Sequence, residues 1–573
     1  MTAVLKYFLY FLILVSFLSL LFYNPYVYNS HIYYKSHFIF AIIISIGSCL
    51  ACLIYLINNK RFSLTILDVN LFIFFLWVLL SRVFTRNTEP YMSESIYCLI
   101  VLGNLFLLSR IVLTLKTFFY LISLAFLIQL VVLCVQFAKN FHTANLHLYL
   151  TGTIDNSGLV SGFLIIMLPF LFLKFLRRTT ISILITVVGF ILILTHSRAG
   201  LLSFIPLVYL NRTQSQDAVL RSFPRWVWIS LIICTLMLLM LFKQPSAYGR
   251  LHIWNVTIEN STNSIMTGIG FGKFPTEYQI WHTEYVMKHK NEKQPFNYPD
   301  LPNNTFNEPL QIFAELGLIG LFLSFGIIYS ALRLISKFPE THKRPFNTSL
   351  FGLIIFSLFS YPLHSLPILA VVTFIMSLIT TLTNERIFTS SLSFKRYILS
   401  IFIFLNLAFL KFTYHKQDAL TLWIEFKQSN LLEKADMDFK TAYPFLRENP
   451  KFLLDYANYL FRKGKFDMCI TIIIECESLS TDINALLLHS KALQKINKFS
   501  QAESILKGCF YSHPNLLKPK VELVRHYLLI NNFVKANDLC FRIINSNIKT
   551  YSPTTRQLQY ELSKIYNQLN KKR

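Results

Sequence analysis

The sequence predicts an all-α fold: a polytopic bundle of about 12 to 13 transmembrane helices followed by a C-terminal α-solenoid. Three observations carry this. The chain has 573 residues, of which 54% are hydrophobic and only 14% charged, where a soluble domain carries about 25% charged residues. Roughly 13 apolar runs approach the ~20 residues that an α-helix needs to cross the hydrocarbon core. Beyond about residue 412 the apolar runs stop, and a pattern with a period of 33 to 34 residues begins.

The candidate spans lie near 4–22, 38–57, 64–80, 93–109, 112–137, 157–174, 179–195, 199–210, 226–242, 310–332, 347–361, 367–383 and 397–411. Lys6 and the apolar run after it resemble a signal peptide, but Tyr23, Asn24 and Pro25 follow instead of a small-residue cleavage site, so this run is read as a retained first span. Placing the N-terminus inside puts Lys60, Arg61, Arg110, Lys116, Arg177, Arg178, Arg333, Lys337, Arg386 and Lys395 in inner loops. The short outer loops keep fewer cations, among them Lys35, Arg82, Lys139 and Arg198. Lys and Arg gather on the inner side of membrane proteins. That orientation puts the long loop 243–309 outside and, with 13 spans, the C-terminal tail outside as well. A thiol reagent that does not cross the membrane should therefore reach a cysteine at Ser261.

The formal net charge of +25 fits inner loops that face anionic membrane lipid. No compact basic motif accompanies it, so nucleic acid is not an expected partner. Cys49, Cys52, Cys98, Cys134 and Cys234 sit in apolar runs as small hydrophobes. Cys469 and Cys476 are seven apart in the tail, with core packing or a disulfide as their alternatives.

The domain boundary is placed at 411/412, with a transmembrane domain over 1–411 and a helical repeat domain over 412–573. In the tail, Gly464-Lys465-Phe466 precedes Cys469, Asn497-Lys498-Phe499 precedes Ala502, and Asn531-Asn532-Phe533 precedes Ala536. The small residue lets two helices approach and the aromatic fills the wedge at their turn. Pro514 follows twelve residues after Ala502, and the segment 420–450 reads as a degenerate first unit. The period and pattern resemble tetratricopeptide repeats, which bind partners through a concave face. A protein partner on this domain is the corresponding expectation.

Three polar stretches interrupt the apolar sequence. Thr195-His196-Ser197-Arg198-Ala199-Gly200 lies at the outer end of a span. Tyr248-Gly249-Arg250-Leu251-His252-Ile253-Trp254, followed by Gly268-Ile269-Gly270-Phe271-Gly272, opens the long loop. Phe306-Asn307-Glu308-Pro309-Leu310-Gln311, running into Ala314-Glu315-Leu316-Gly317, closes it. Arg250 and Trp254, like Gln311 and Glu315, are four apart and share a helix face. An ionisable residue within a span, such as Glu315, marks function by default, with an interhelical hydrogen bond as the alternative. The glycines of 268–272 permit a tight turn near the membrane surface.

"HSRAG", then "GRLHIW" with "GIGFGKF", then "FNEPLQIFAELGLIG" resemble, in this order, the motifs of the O-antigen ligase and polymerase family. The likeness covers about residues 150–380. It implies transfer of a glycan from an undecaprenyl-pyrophosphate-linked donor to a lipid, glycan or protein acceptor, at the periplasmic face of a bacterial inner membrane. It implies that Arg198 and Arg250 engage the lipid pyrophosphate. His252, Trp254, Asn307, Gln311 and Glu315 are the accompanying candidates for substrate binding. The family's closing motif usually begins with His, and here Phe306 stands in that place. Glu308 is then the first choice for a base, with His252, His282 and His289 behind it and a plain helix-start role as the alternative for Glu308. Arginine forks stabilise a leaving pyrophosphate by bidentate hydrogen bonds, and no metal or cofactor is expected. A transporter or a non-catalytic scaffold for polysaccharide assembly is the rival reading. A transporter, however, is expected to show internal repeats and interrupted spans near the midplane.

Overall fold

The computed structural model describes residues 2–21, 30–57, 63–83, 94–142, 150–154, 156–172, 178–211, 244–288, 301–389, 392–429, 432–513, 515–545 and 552–571. The expected span at 226–242 and Lys60, Arg61, Arg177, Cys234, His289 and Pro514 lie outside the described residues. The structure divides into two compact units. One comprises Met1–Gln244, Met266–Gly268 and Phe306–Leu420, and the other Pro245–Ile265, Ile269–Thr305 and Thr421–Arg573.

In the first unit every other expected span is helical: α1 (Thr2–Leu21), α2 (Ser30–Ile57), α3 (Ile66–Val83), α4 (Glu94–Val112), α5 (Leu115–His142), α6 (Ser157–Leu171), α7 (Arg178–Leu194) and α8 (Arg198–Asn211) come before the long loop. Among the described residues, five helices are long and apolar enough to cross a membrane: Val4–Leu21, His37–Leu56, Leu115–Lys139, Glu308–Ile335 and Lys395–Lys427. Shorter apolar helices include Ser157–Leu171, Arg198–Tyr209 and Leu366–Leu382. Their outward residues are bulky and apolar, as at Phe72, Phe322 and Phe404, a surface that lipid tails satisfy without cost. Phenylalanine is not confined to that surface. Phe338, Phe346, Phe170, Phe118, Phe374 and Phe17 form a buried edge-to-face series with successive ring centroids 5.0–6.5 Å apart. Such contacts add to plain area burial.

Small residues let α6 sit deep among its neighbours. A Cβ at Gly162 would lie 2.7 Å from the Phe356 ring, and one at Gly352 would lie 2.9 Å from Ile165. Without a hydrophobic drive in lipid, this kind of close approach is what holds membrane helices together. One buried polar group ties three helices together. Asn104 donates to Asn406 at 3.0 Å, and Asn406 donates to Ser48 at 2.7 Å, tying α2 and α4 to a late helix.

The ends of the helices segregate into two groups. Ser63–Leu64 (β1) pairs antiparallel with Phe388–Thr389 (β2). Beside it Arg110 forms an ion pair with Asp68 and donates to the Ser63 carbonyl at 2.7 Å, and Lys337 pairs with Glu385. All of these come from loops assigned to the inner side by charge. Loops assigned to the outer side meet one another instead. The Asn156 amide donates to the Tyr361 hydroxyl at 2.9 Å, and the Leu363 N–H donates to Glu308 at 2.7 Å.

Four helices follow the loop in this unit: α11 (Glu308–Ile335), α12 (Glu340–Phe359), α13 (Leu366–Leu382) and α14 (Leu392–Ser429). Helix α11 is broken at Gly317, where φ is 67° and ψ −168°. The segment 266–268 fills the break. The Met266 carbonyl accepts the Ile319 N–H at 3.4 Å, and the Trp77 indole donates to the Leu316 carbonyl at 3.0 Å. The compositional change near 412 falls inside α14, which continues without interruption to Ser429.

The second unit contains α9 (Gln244–Ser261) and α10 (Phe274–Lys288) from the long loop, and the tail helices. In the tail, helix pairs recur. Pro450–Arg462 with Phe466–Leu479, Ile483–Lys495 with Phe499–Ser512, and Leu517–Leu529 with Phe533–Ile544 are α16 to α21, after α15 (Leu432–Leu446) and before α22 (Pro553–Lys571). Gly464, Asn497 and Asn531 occupy the same turn with φ of 72°, 62° and 56°, a conformation that glycine and asparagine tolerate. Cys469, Ala502 and Ala536 are fully buried where the helices approach. The expected wedge is weaker than its pattern, since Phe533 is half exposed. Cys469 and Cys476 are free, buried thiols, each pushed up to about 12 by burial, so they serve as core packing and not as a disulfide. Helix α10 packs on α17 and α19, so the long loop and the tail form one body.

Candidate functional site

Within the first unit, helices α6, α8, α11 and α13 all begin at the end that carries the outer loops. Asn156 caps α6 by accepting the Leu159 N–H, Ser197 accepts the Gly200 N–H at the start of α8, and Asn307 accepts the Leu310 N–H at the start of α11. Ser365 precedes α13, with proline in its first turn. Side chains bind these starts to one another. Ser161 meets Thr195 at 3.1 Å, Asn156 meets Tyr361, and Glu308 meets the turn before α13. Each helix start carries unsatisfied N–H groups and about half a positive charge, so their convergence makes a place for an anion. Arg198 is the first residue of α8, partly exposed, and follows His196, whose φ is 50°.

Glu308 is 3% exposed. Its Oε1 accepts the Leu363 N–H and stands 3.4 Å from Nδ1 of His364. It also occupies the first turn of α11, where the helix dipole favours a carboxylate, so the helix-start role is present together with a specific partner. Asn307 is spent as a cap. Gln311 donates to Glu315 at 2.8 Å within the same helix, and both are buried. Phe306 has φ of 57° and sets its ring against Tyr361, with centroids 5.3 Å apart.

Apart from Met266–Gly268, the described loop residues belong to the second unit. Arg250 and Trp254 lie one turn apart on α9. The Trp254 indole N–H donates to the Thr305 carbonyl at 2.8 Å, which anchors the end of the loop to α9. Gly268, Gly270 and Gly272 have φ of 70°, 104° and 81°, the left-handed turn their spacing predicts. The His252 ring meets His282 edge-on at 5.5 Å and Tyr285 at 5.0 Å. His282 is fully buried, and burial, with the positive fields of His252 and His513, lowers it to about 3. It is neutral at physiological pH and buried among the described residues of its unit, which suits it poorly to meet an acceptor. His282→Gln should therefore retain most of the wild-type transfer rate, where loss of a general base costs about a hundredfold or more. A transfer assay at matched protein level checks this, and loss of activity on that scale would restore His282 as a candidate.

The residue that sequence reasoning missed is His364. It lies 56 positions from Glu308 on a short 3-10 turn at Pro362–His364, and no local pattern connects the two.

Residues 146–325 match the family model described as O-Antigen ligase. A Rickettsia felis protein named "Putative polysaccharide ligase" is 32% identical over 111 residues, or 19% of this chain. The match spans about a quarter of that relative, 26% of its length. The family match takes in Arg198, Arg250 and Glu308 and ends before Tyr361 and His364.

Proposed function

We propose, from the match of residues 146–325 to the O-Antigen ligase family model, that the chain transfers a glycan from an undecaprenyl-pyrophosphate-linked donor to an acceptor at the periplasmic face of the inner membrane. One observation supports the reading most. Four helix starts, with Arg198 at one of them, converge at one end of the bundle, a polar place where Arg198 and helix-start N–H groups stabilise a pyrophosphate headgroup while its lipid stays in the hydrocarbon. Arg198 grips the phosphate oxygens with a planar fork. Arg250 is assigned a second fork from the family resemblance alone. The acceptor is a lipid, a growing polysaccharide or a protein.

The orientation rests on the charge asymmetry of the loops. It is tested by one engineered cysteine in a background whose exposed Cys134 has been replaced. Ser261 is unsuitable for this, because it is 2% exposed and its hydroxyl donates to the Thr257 carbonyl. Glu259, on the same helix, is exposed. Glu259→Cys should react with an impermeant thiol reagent in intact spheroplasts; labelling only after lysis contradicts the orientation. The same preparation tests the activity. Radiolabelled undecaprenyl-pyrophosphate glycan should be consumed in spheroplasts that carry the chain, and should persist in those that lack it.

A further inference from the structure

We propose that His364 takes the proton from the acceptor hydroxyl, with Glu308 as its positioning residue; this assignment rests on the glycan-transfer reading above.

The geometry supplies what the sequence lacks at Phe306. The Phe306 ring cannot accept a proton, but it stands against Tyr361, and the Tyr361 ring lies 6.4 Å from that of His364. An imidazole is thereby placed beside the motif from which one is missing, delivered by the turn between α12 and α13. Glu308 is poorly suited to be the base itself. Its side chain is 4% exposed, and its Oε1 already accepts the Leu363 N–H. The His364 side chain is 38% exposed and can meet an incoming hydroxyl. With Nδ1 turned to the Glu308 carboxylate, the proton-bearing nitrogen is Nδ1, and the lone pair is left on Nε2. This is how a carboxylate fixes the tautomer of a working histidine.

Burial alone would lower the basicity of His364, but the hydrogen bond and charge of Glu308, with the charge of Glu315, outweigh it, and the group is raised above its ordinary value. Among the described residues, the charge nearest in the convergence that would oppose this is Arg198 at the start of α8, and the carboxylates of Glu308 and Glu315 prevail. Helix α13 carries no ionisable group, and Glu340, His342, Lys343 and Arg344 of α12 occupy its first two turns, at the end away from the Pro362–His364 turn. On α11, Tyr329 and Arg333 lie beyond the Gly317 break.

The acceptor oxygen bonds to the anomeric carbon of the donor glycan. The bond from that carbon to the pyrophosphate oxygen breaks, and its electron pair leaves on undecaprenyl pyrophosphate. The hydroxyl proton passes to Nε2 of His364 and from there to solvent.

The test uses the full chain in spheroplasts and the cell's own undecaprenyl-pyrophosphate-linked glycan, radiolabelled and chased over a range of pH. His364→Ala should slow consumption by about a hundredfold or more. In His364→Gly, added imidazole should restore part of the rate, a rescue that a merely structural loss does not allow. Turnover in the wild type should rise with pH as His364 loses its proton. In Glu308→Gln the carboxylate charge that raises His364 is gone, so residual turnover should rise at lower pH than in the wild type. Full turnover in His364→Ala, absence of imidazole rescue, or an unmoved pH profile in Glu308→Gln would each overturn the assignment. Failure of the wild-type chain itself to consume the lipid-linked glycan would overturn the glycan-transfer reading, and this assignment with it.

Discussion

Replacing Arg198 with alanine should lower glycan transfer by about a hundred- to a thousandfold, equivalent to roughly 3–4 kcal/mol of lost stabilisation of the departing pyrophosphate. A pyrophosphate leaves readily only when its developing charge is met, and donors held in place before the reaction need no reorganisation as that charge appears. Arg198 stands at the first position of α8, where the helix start adds its own N–H groups and partial charge. Ser197 caps that start, and the Ser161–Thr195 contact ties it to α6, so the guanidinium projects from a braced position. Arg198→Lys should keep only part of the activity, since an ammonium has charge but no planar fork for two phosphate oxygens. The measurement is transfer at matched protein level. Full product from the alanine variant would remove Arg198 from the donor site.

Gly317→Ala should cost the chain most of its folded stability. At φ of 67° and ψ of −168°, Gly317 lies in a region that is essentially glycine's alone and costs other residues about 1–3 kcal/mol. Space is the larger obstacle. A Cβ there would stand 2.2 Å from the Met266 carbonyl oxygen, and a Cβ at Gly268 would stand 2.3 Å from the Glu315 carbonyl carbon. Both clashes are with backbone, so no rotamer relieves them, and the Met266 carbonyl that accepts the Ile319 N–H would be driven away. A total in the exceptional range above ~4 kcal/mol follows. Gly103, inside α4, is the control, because a Cβ added there would meet nothing within 4 Å. Gly103→Ala should be neutral or stabilise by about 0.4–1 kcal/mol. Thermal unfolding of the two purified variants separates strain at one glycine from a general intolerance of alanine. Equal melting temperatures would contradict the role given to the kink.

The spans were legible because twenty apolar residues in a row have few other uses, and helix ends match the expected runs to within a few residues at α6, α7 and α13. The repeat was legible for a local reason too. Gly464, Asn497 and Asn531 each end one helix in a left-handed turn, so the period is written in residues that only certain side chains can occupy. What escaped the sequence is non-local. The break in α11 hides inside Glu315-Leu316-Gly317-Leu318-Ile319-Gly320, which reads as continuous helix until 266–268 is placed against it. The packing of α10 on the tail repeats joins segments about 200 residues apart, and only the structure shows that loop and tail share a body. Glu308 was picked out by its motif, but its environment was not. The carboxylate is buried against Leu363 and His364, residues that sequence reasoning passed over because Pro362-Leu363-His364 looks like an ordinary turn between two spans.

Consumption of a lipid-linked glycan by this chain is tested most directly by extracting undecaprenyl-pyrophosphate-linked glycan from cells in which the chain has been replaced by its Arg198→Ala variant, produced at the normal level. Accumulation of that glycan above the wild-type amount, together with loss of a glycan-bearing product, is the expected result. An unchanged lipid-linked pool, with every glycan-bearing product still present, would contradict it.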